Sequence, residues 1–204
     1  MKDKVSYALG LSMANNFRST GIHSISMEDF AEAMNTVFEG KEPSMTYEEA
    51  QGVLNEFFQR IQNEKKELNL KAGKEFQEIN KQKAGVTTLP NGLQYEILEK
   101  GEGALPKSTD TVEVHYEGTL IDGSIFDSSI RRGEPASFPV TAVIPGWTEG
   151  LQLMKVGSKY KLYIPSKIAY GERGVSQVIP PNSTLIFEVE LLEILPPEAE
   201  KSAE

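Results

Sequence analysis

The sequence contains no cysteine and only two histidines, His23 and His115, which stand far apart in the chain. The absence of thiols excludes disulfides, cysteine nucleophiles, thiolate zinc sites and iron–sulfur clusters. Two isolated imidazoles also argue against a His-rich metal site within one chain. We therefore expect neither a metal nor another cofactor, and any reaction must proceed without thiol or metal chemistry.

Long apolar runs are missing too, since none approaches the roughly 20 residues that cross a bilayer. The formal net charge of -9 is opposite in sign to that of a typical nucleic-acid-binding surface. We expect no membrane and no nucleic-acid partner. The first residues lack the apolar core and A-x-A site of a signal peptide, which predicts a cytoplasmic protein, or a periplasmic one if an export signal has been removed.

Familiar catalytic motifs are also absent. The serines show neither a G-x-S-x-G motif nor a recognisable relation to a histidine, and no phosphate-binding glycine loop occurs. Pairs of carboxylates for glycoside hydrolysis can be chosen from Asp122, Asp127 and Glu149, but with 30 acidic residues in the chain such choices are close to chance. Acid–base and covalent mechanisms therefore have little support.

Residues 1–45 carry two apolar stripes with helical spacing, separated by Gly21 and by a candidate N-cap at Ser26. Helices this short bury little surface by themselves. The stripes either pack on the rest of the chain or pair with a second subunit, and their aromatic and Met content favours the second subunit. Their members include Leu9, Met13, Phe17, Phe30, Met34 and Phe38.

A long helix is predicted over residues 46–85. Its start is marked by the capping box Thr46-Tyr47-Glu48-Glu49. An apolar stripe runs through its first part, and its second part is polar nearly all round, as in a helix that bridges two domains through solvent. We expect a connecting strut between the short helices and whatever follows.

From residue 86 the hydrophobic period changes from helical to alternating. Val112, Val114 and Tyr116 alternate with polar residues, and three further segments do the same. The pattern predicts an α+β domain over 86–195, with a curved antiparallel sheet and one short helix from Thr148 to Met154. Residues 196–204 are predicted to be a disordered tail.

Aromatic and branched side chains cluster in the loops of this domain. They fall in five blocks over about 75 residues: Val114-His115-Tyr116-x-Gly118, Asp122-Gly123-x-x-Phe126-Asp127, Val143-Ile144-Pro145-Gly146-Trp147, Ala169-Tyr170-Gly171 and Ile179-Pro180-Pro181 with Phe187 following. The order of these blocks resembles the FKBP-type peptidyl-prolyl cis–trans isomerases. The N-terminal helices are similar to the dimerisation arm of the Mip-like bacterial branch. The resemblance therefore extends over nearly the whole chain.

The resemblance implies an aromatic substrate pocket with Trp147 as its floor. Asp127 and Tyr170 would be its polar groups, and the backbone N–H of Ile144 would donate to a substrate carbonyl. The other implied pocket residues are Tyr116, Phe126, Phe187, Val143, Ile179 and the rim residue Ala136.

Four positions carry open questions. Ala136 stands where the family often has an aromatic residue, and Val175 where a histidine is common, which puts the affinity for tacrolimus- or rapamycin-like inhibitors in doubt. Asp127 either polarises the site or holds its own loop through backbone N–H groups, Arg131 or Arg132. His115 is interpreted as a packed strand residue rather than a participant.

The resulting hypothesis is a homodimeric isomerase that accelerates rotation about X–Pro bonds in unfolded polypeptides, with chaperone activity. The two chains would pair through residues 1–45, and the long helices would form a V. The alternative is a non-catalytic adaptor that binds proline-containing peptides in the same pocket.

Overall fold

The computed structural model describes residues 3–175 and 178–195. The chain divides into two compact units between Asn63 and Glu64, a boundary that falls inside the long helix. The domain limits expected from the sequence (1–45, 46–85 and 86–195) stay predictions, and the predicted tail 196–204 lies outside the described residues.

The first unit contains α1 (Lys4–Ser19), α2 (Met27–Phe38) and the beginning of α3 (Tyr47–Asn80). Each helix begins at a capping side chain. Asp3 accepts hydrogen bonds from the N–H groups of the first turn of α1, and Ser26 accepts one from Asp29 at 3.3 Å. At α3, Thr46 and Glu49 exchange the reciprocal bonds of the predicted capping box, at 2.8 and 3.2 Å.

The apolar side chains of α1 and α2 remain accessible in the single chain. Neither helix has a buried residue. Phe17 and Phe30 meet edge to face with their ring centroids 5.8 Å apart, whereas Leu9 and Phe38 are 59% and 76% exposed. The predicted stripes are thus present as helix faces, but this unit forms little core of its own.

The second unit joins the end of α3 to a curved antiparallel sheet. Its strand order is β1-β2-β6-β7-β3-β4, and β5 also pairs with β3. The longest pairing joins the neighbouring strands β3 and β7 over ten positions, from Thr111–Leu195 to Leu120–Leu185. The strands are β1 (Val86–Thr88), β2 (Gln94–Glu99), β3 (Thr111–Leu120), β4 (Ile125–Ser128), β5 (Ala136–Pro139), β6 (Lys159–Ile164) and β7 (Leu185–Leu195).

One face of the sheet packs against α5 (Pro145–Leu151) and forms the core. Alternate residues of β3 point into that core, which explains the period of two in the sequence. Two glycines let α5 approach β6 closely: a Cβ at Gly146 would lie 2.4 Å from Ile164 Cγ2, and one at Gly150 would lie 2.7 Å from Leu162. The fully buried residues include Leu93, Val112, Val114, Val140, Leu151, Met154, Leu162, Ile164, Leu185, Val189 and Leu191.

Several short elements differ from the sequence-based expectation. The helix predicted over 148–154 spans Pro145–Leu151 instead, and it begins three residues earlier because Pro145 occupies the first helical turn, where its missing N–H costs nothing. A second short helix, α4 (Ser129–Arg132), and a 3₁₀ turn at Ser166–Ile168 accompany it. Strands β1 and β5 have three and four residues, too few for an alternating pattern to be visible. Within the described ranges, no helix has the length and apolarity required to traverse a membrane.

Gly146→Ala and Gly52→Ala should change stability in opposite directions. Both positions are helical, but Gly52 in α3 has no neighbour within 4 Å of an added Cβ. Ala at position 52 should raise the free energy of unfolding by up to about 1 kcal/mol through helix propensity. Ala at position 146 should lower it by about 1–3 kcal/mol through overpacking against Ile164. Urea denaturation measures both, and a stabilising Gly146→Ala would contradict the close approach of α5.

Candidate active site

A cavity of about 650 Å³ opens between the sheet, α5 and the β6–β7 connection. Each wall comes from a different part of the second unit, so residues distant in sequence converge there. β3, β4, β5 and β7 supply one side, the turn into α5 supplies the base, and the β6–β7 connection supplies the opposite side. The lining residues are Tyr116, Phe126, Asp127, Phe138, Ala142, Val143, Ile144, Trp147, Tyr170, Val175, Val178, Ile179 and Phe187.

The Trp147 indole forms the floor and is only 4% exposed. Three rings meet it edge to face, with centroid distances of 5.2 Å to Tyr116, 5.1 Å to Phe187 and 5.8 Å to Phe138. Such T-shaped contacts are the favoured geometry of aromatic pairs. Its Nε1 is buried and has no hydrogen-bond partner within the described ranges. The floor therefore presents ring surface rather than a polar group.

Gly118 on β3 makes room for two of the walls. A Cβ there would lie 2.6 Å from Phe126 and 2.8 Å from Phe187. These two rings pack edge to face, 5.3 Å apart between centroids. Because a side chain at position 118 would separate both rings from the strand, the glycine is a steric requirement of this cavity.

A polar group of three side chains stands at the rim. The Tyr116 hydroxyl donates to Asp127 Oδ2 at 2.5 Å, and Arg132 Nη2 donates to the Tyr116 oxygen at 3.0 Å. Arg132 Nη1 also pairs with Asp127 Oδ1, and its guanidinium lies 5.5 Å from the Tyr116 ring centroid. Arg131 turns instead to Glu117, at 3.5 Å. Of the two arginines considered from the sequence, Arg132 is the one that contacts Asp127.

The contacts within the rim group determine the protonation states of Asp127 and Tyr116. Burial alone would raise the pKa of Asp127, but hydrogen bonds from Tyr116 and Arg132, together with the charge of Arg132, lower that pKa below its ordinary value. Burial and the hydrogen bond to Asp127 raise the pKa of Tyr116. Asp127 is therefore ionised near pH 7 and has no proton to transfer, and Arg132 balances its negative charge.

Tyr170 lies across the cavity and is 40% exposed. Burial raises the pKa of its phenol, and the negative charge of Asp127 raises it further. The hydroxyl thus stays protonated at neutral pH and is able to donate a hydrogen bond. Ile144 precedes α5 as its N-cap residue, and its own carbonyl accepts from Trp147 N–H at 2.9 Å.

The structure brings nearly all the predicted pocket residues to this one cavity. Ala136 is the exception, since it is not one of the residues that line the cavity. It lies on β5, where it pairs with Val114 of β3 and packs against the core, while Phe138, two residues further on the same face, lines the cavity. An aromatic side chain is therefore present at this wall after all. The predicted residues at the cavity are Tyr116, Phe126, Asp127, Val143, Ile144, Trp147, Tyr170, Ile179 and Phe187.

Phe138, Ala142 and Val178 were not predicted as lining residues. The available signal was the Phe138 ring near the prolines at 135 and 139, but a four-residue strand gave no period from which to derive its direction. His115 lies outside the cavity, with Nδ1 3.1 Å from Ser129 Oγ. In the described part of the chain, no group of three or more His, Asp or Glu side chains is arranged to hold a metal ion.

Known proteins share both parts of this architecture. Residues 102–192 match the family model described as FKBP-type peptidyl-prolyl cis-trans isomerase, and residues 2–97 match the domain amino terminal to it. The FKBP-type 22 kDa isomerase of Escherichia coli is 45% identical over 94% of this chain and 95% of its own length. The outer membrane protein MIP of Legionella longbeachae is 43% identical, over 95% of this chain and 85% of its own.

A solved structure agrees with these sequence matches. The crystal structure of FkpA from Escherichia coli covers 96% of this chain and 99% of its own, with a TM-score of 0.76 and 40% identity.

Asp127→Asn should destabilise the protein in a pH-dependent way. A carboxylate whose pKa is lowered by folding contributes stability above its unfolded pKa, near 3.9, and loses it as pH falls through the lower folded value. The thermal midpoint of the variant should therefore lie below that of the wild type at pH 7, and the difference should shrink below about pH 4. Circular dichroism melts at several pH values measure this.

The control for this series is Glu102→Gln, which neutralises an exposed carboxylate outside the cavity. A gap between wild type and Asp127→Asn that widened on acidification would contradict the assigned ion pair.

Proposed function

The chain belongs to the family of FKBP-type peptidyl-prolyl cis–trans isomerases and is an enzyme of that type, and from this premise we propose that the aromatic cavity is its catalytic site. The observation that carries the proposal is the Trp147 floor, ringed by three aromatic side chains within 5.8 Å. Its substrates would be X–Pro bonds in unfolded or partly folded polypeptides.

The chemistry requires only that the cavity bind a twisted imide better than a planar one. Resonance keeps the X–Pro bond planar and gives a barrier of about 18–20 kcal/mol. In the twisted state that resonance is lost, and the carbonyl oxygen carries less negative charge. A water-poor pocket therefore disfavours the more dipolar planar form, and each 1.36 kcal/mol of differential binding accelerates rotation about tenfold.

The cavity residues divide this work between holding the proline ring and holding the backbone of the substrate. The proline ring would rest on Trp147, between Phe187 and Tyr116. Tyr170 and the Ile144 N–H would donate to the carbonyl groups of the substrate. No proton transfer or covalent step is needed, which agrees with the protonated Tyr170 and the ionised Asp127.

Asp127 would act through its neighbours rather than on the substrate. Its bonds to Tyr116 and Arg132 fix the Tyr116 ring that packs on the indole. This supports the interpretation of Asp127 as a structural carboxylate. The alternative function, a peptide-binding adaptor without catalysis, uses the same cavity and is separated from the proposal by rate measurements.

The cavity would also accept macrolide inhibitors of the tacrolimus and rapamycin type. Phe138 supplies an aromatic wall for such a ligand, although Ala136 is not aromatic. The reaction uses no thiol, and so would proceed equally well in the cytoplasm and the periplasm, the two compartments expected from the sequence.

We further propose that the chain forms a homodimer through the open faces of the first unit. α1 and α2 bury none of their residues in one chain, and Leu9, Met13, Phe17, Phe30, Met34 and Phe38 lie on them. A second copy would cover these faces, and the long helices would hold two catalytic domains in a V. Two linked cavities would bind one unfolded chain with raised effective concentration, which would supply the chaperone activity.

Tyr170→Phe should lower kcat/KM on a proline tetrapeptide about tenfold, since one hydrogen bond of about 1.4 kcal/mol to the bound substrate is removed. Trp147→Leu should lower it further, because the floor of the cavity is removed. Tyr47→Phe, at a position 77% exposed on α3, is the matched control and should leave the rate unchanged. A protease-coupled assay measures all three. Wild-type protein that binds the peptide without accelerating its isomerisation would favour the adaptor.

A Leu9→Glu, Phe38→Glu double variant should convert the dimer into monomers. Light scattering should give about twice the 22.6 kDa chain mass for wild type and the single mass for the variant. The variant should isomerise tetrapeptides at the wild-type rate. It should be several-fold slower than the wild type in catalysing the refolding of a protein whose folding is limited by proline isomerisation. Asn35→Glu, at an exposed polar position of α2, is the control. An equal loss of rate in the tetrapeptide and refolding assays would contradict the proposal that dimerisation serves only large substrates. A monomeric wild type would contradict the dimer.

A further inference from the structure

The β6–β7 connection forms one wall of the cavity although it has little regular structure. Beyond the 3₁₀ turn at Ser166–Ile168, it holds Tyr170 and Ile179 at the cavity. A β-bridge between Val175 and Ile179 closes its tip, with bonds of 2.8 and 3.0 Å. The two ends of the connection meet at Gly171 and Asn182, which form its base.

Asn182 lies at that base and donates two hydrogen bonds, one from its backbone and one from its side chain. Its backbone N–H donates to Gly171 O at 2.8 Å, which ties the two ends of the connection together. Its side-chain amide donates to the carbonyl of Lys66 in α3 at 3.2 Å. It adopts a left-handed φ of 58°, a conformation that Asn tolerates better than most residues.

The helix also binds this base through Asn69 and Gly73. Asn69 Nδ2 donates to Pro181 O at 2.8 Å. One turn later, a Cβ at Gly73 would lie 2.4 Å from Thr184 Oγ1, so only glycine permits this approach. Three successive turns of α3 thus contact residues 181–184.

The same helix is fixed to the sheet at its end. Gln77 Nε2 donates to Tyr163 O on β6 at 3.3 Å, and Asn80 Nδ2 donates to Gln94 Oε1 on β2 at 2.9 Å. Gln94 in turn donates to Gln77 O at 2.9 Å. Since an α-helix is stiff over four turns, this segment ties the connection to the sheet.

We propose that residues 66–80 of the long helix position one wall of the catalytic cavity, and that Asn69, Gly73 and Asn182 are positioning residues for Tyr170 and Ile179. The inference rests on the proposed assignment of the cavity as the catalytic site. The end of the long helix would then support the cavity as well as connect the two units. None of the three positioning residues lines the cavity itself.

The first test uses Asn182→Gly and Asn69→Ala in the full chain. Glycine keeps the left-handed backbone and its N–H while removing only the amide that reaches Lys66 O. Each variant should lower kcat/KM on the tetrapeptide about fivefold, which corresponds to about 1 kcal/mol. Asn63→Ala makes the same change at an exposed position earlier on this helix and should have the wild-type rate.

The second test uses a clash and its relief. Gly73→Ala adds helix propensity but pushes against Thr184, so it should lower kcat/KM by a similar factor. The double variant Gly73→Ala, Thr184→Ala removes the opposing hydroxyl and should recover the rate to within about twofold of the Thr184→Ala single variant. A purely stabilising contact would not give this pattern at a temperature where every variant is folded by circular dichroism.

Tyr170→Phe and Trp147→Leu, measured alongside, separate the two possible failures. If those variants keep the wild-type rate, the catalytic assignment of the cavity is wrong. If they are slow while Asn69→Ala, Asn182→Gly and Gly73→Ala are all as fast as the wild type, the positioning role alone is overturned. The positioning role would also be overturned if the losses in kcat/KM simply followed the losses in thermal midpoint and the double variant Gly73→Ala, Thr184→Ala did not recover the rate.

Discussion

The structure of the second unit depends on the edge-to-face packing of aromatic rings around one buried indole. Trp147 can be a floor only if β3, β5 and β7 bring Tyr116, Phe138 and Phe187 to it. Glycine residues make these approaches possible, at position 118 for the rings and at position 146 for the helix that carries the indole. An apolar cavity thus results from close packing, because the rings that line it are held by one another.

The charged groups are arranged so that the cavity can stay dry next to them. Asp127 stands at the rim, but Tyr116 and Arg132 satisfy both of its oxygens. An unpaired carboxylate there would hold water at the mouth, whereas a paired one orients a ring. The site therefore combines a largely apolar lining with protonation states that do not change near neutral pH, which suits the proposed reaction.

The two units differ in how they use apolar surface. The second unit encloses its own core and contains every wall of the cavity. The first exposes most of its apolar residues and has no buried position in α1 or α2. The long helix contributes to both units, and its polar second half is explained by specific bonds to the sheet and to the β6–β7 connection rather than by solvation alone.

Local sequence determined the elements whose causes are local. The capping box at Thr46, the cap at Ser26 and the period of two in β3 each depend on residues within one or two turns or along one strand, and the structure confirms them. The order of the aromatic blocks also indicated the family. Tertiary structure alone decided that Phe138 rather than Ala136 faces the cavity, that Arg132 rather than Arg131 pairs with Asp127, and that α3 docks on residues 181–184. These outcomes depend on strand pairing and on contacts between residues as many as 116 positions apart, which no local pattern encodes.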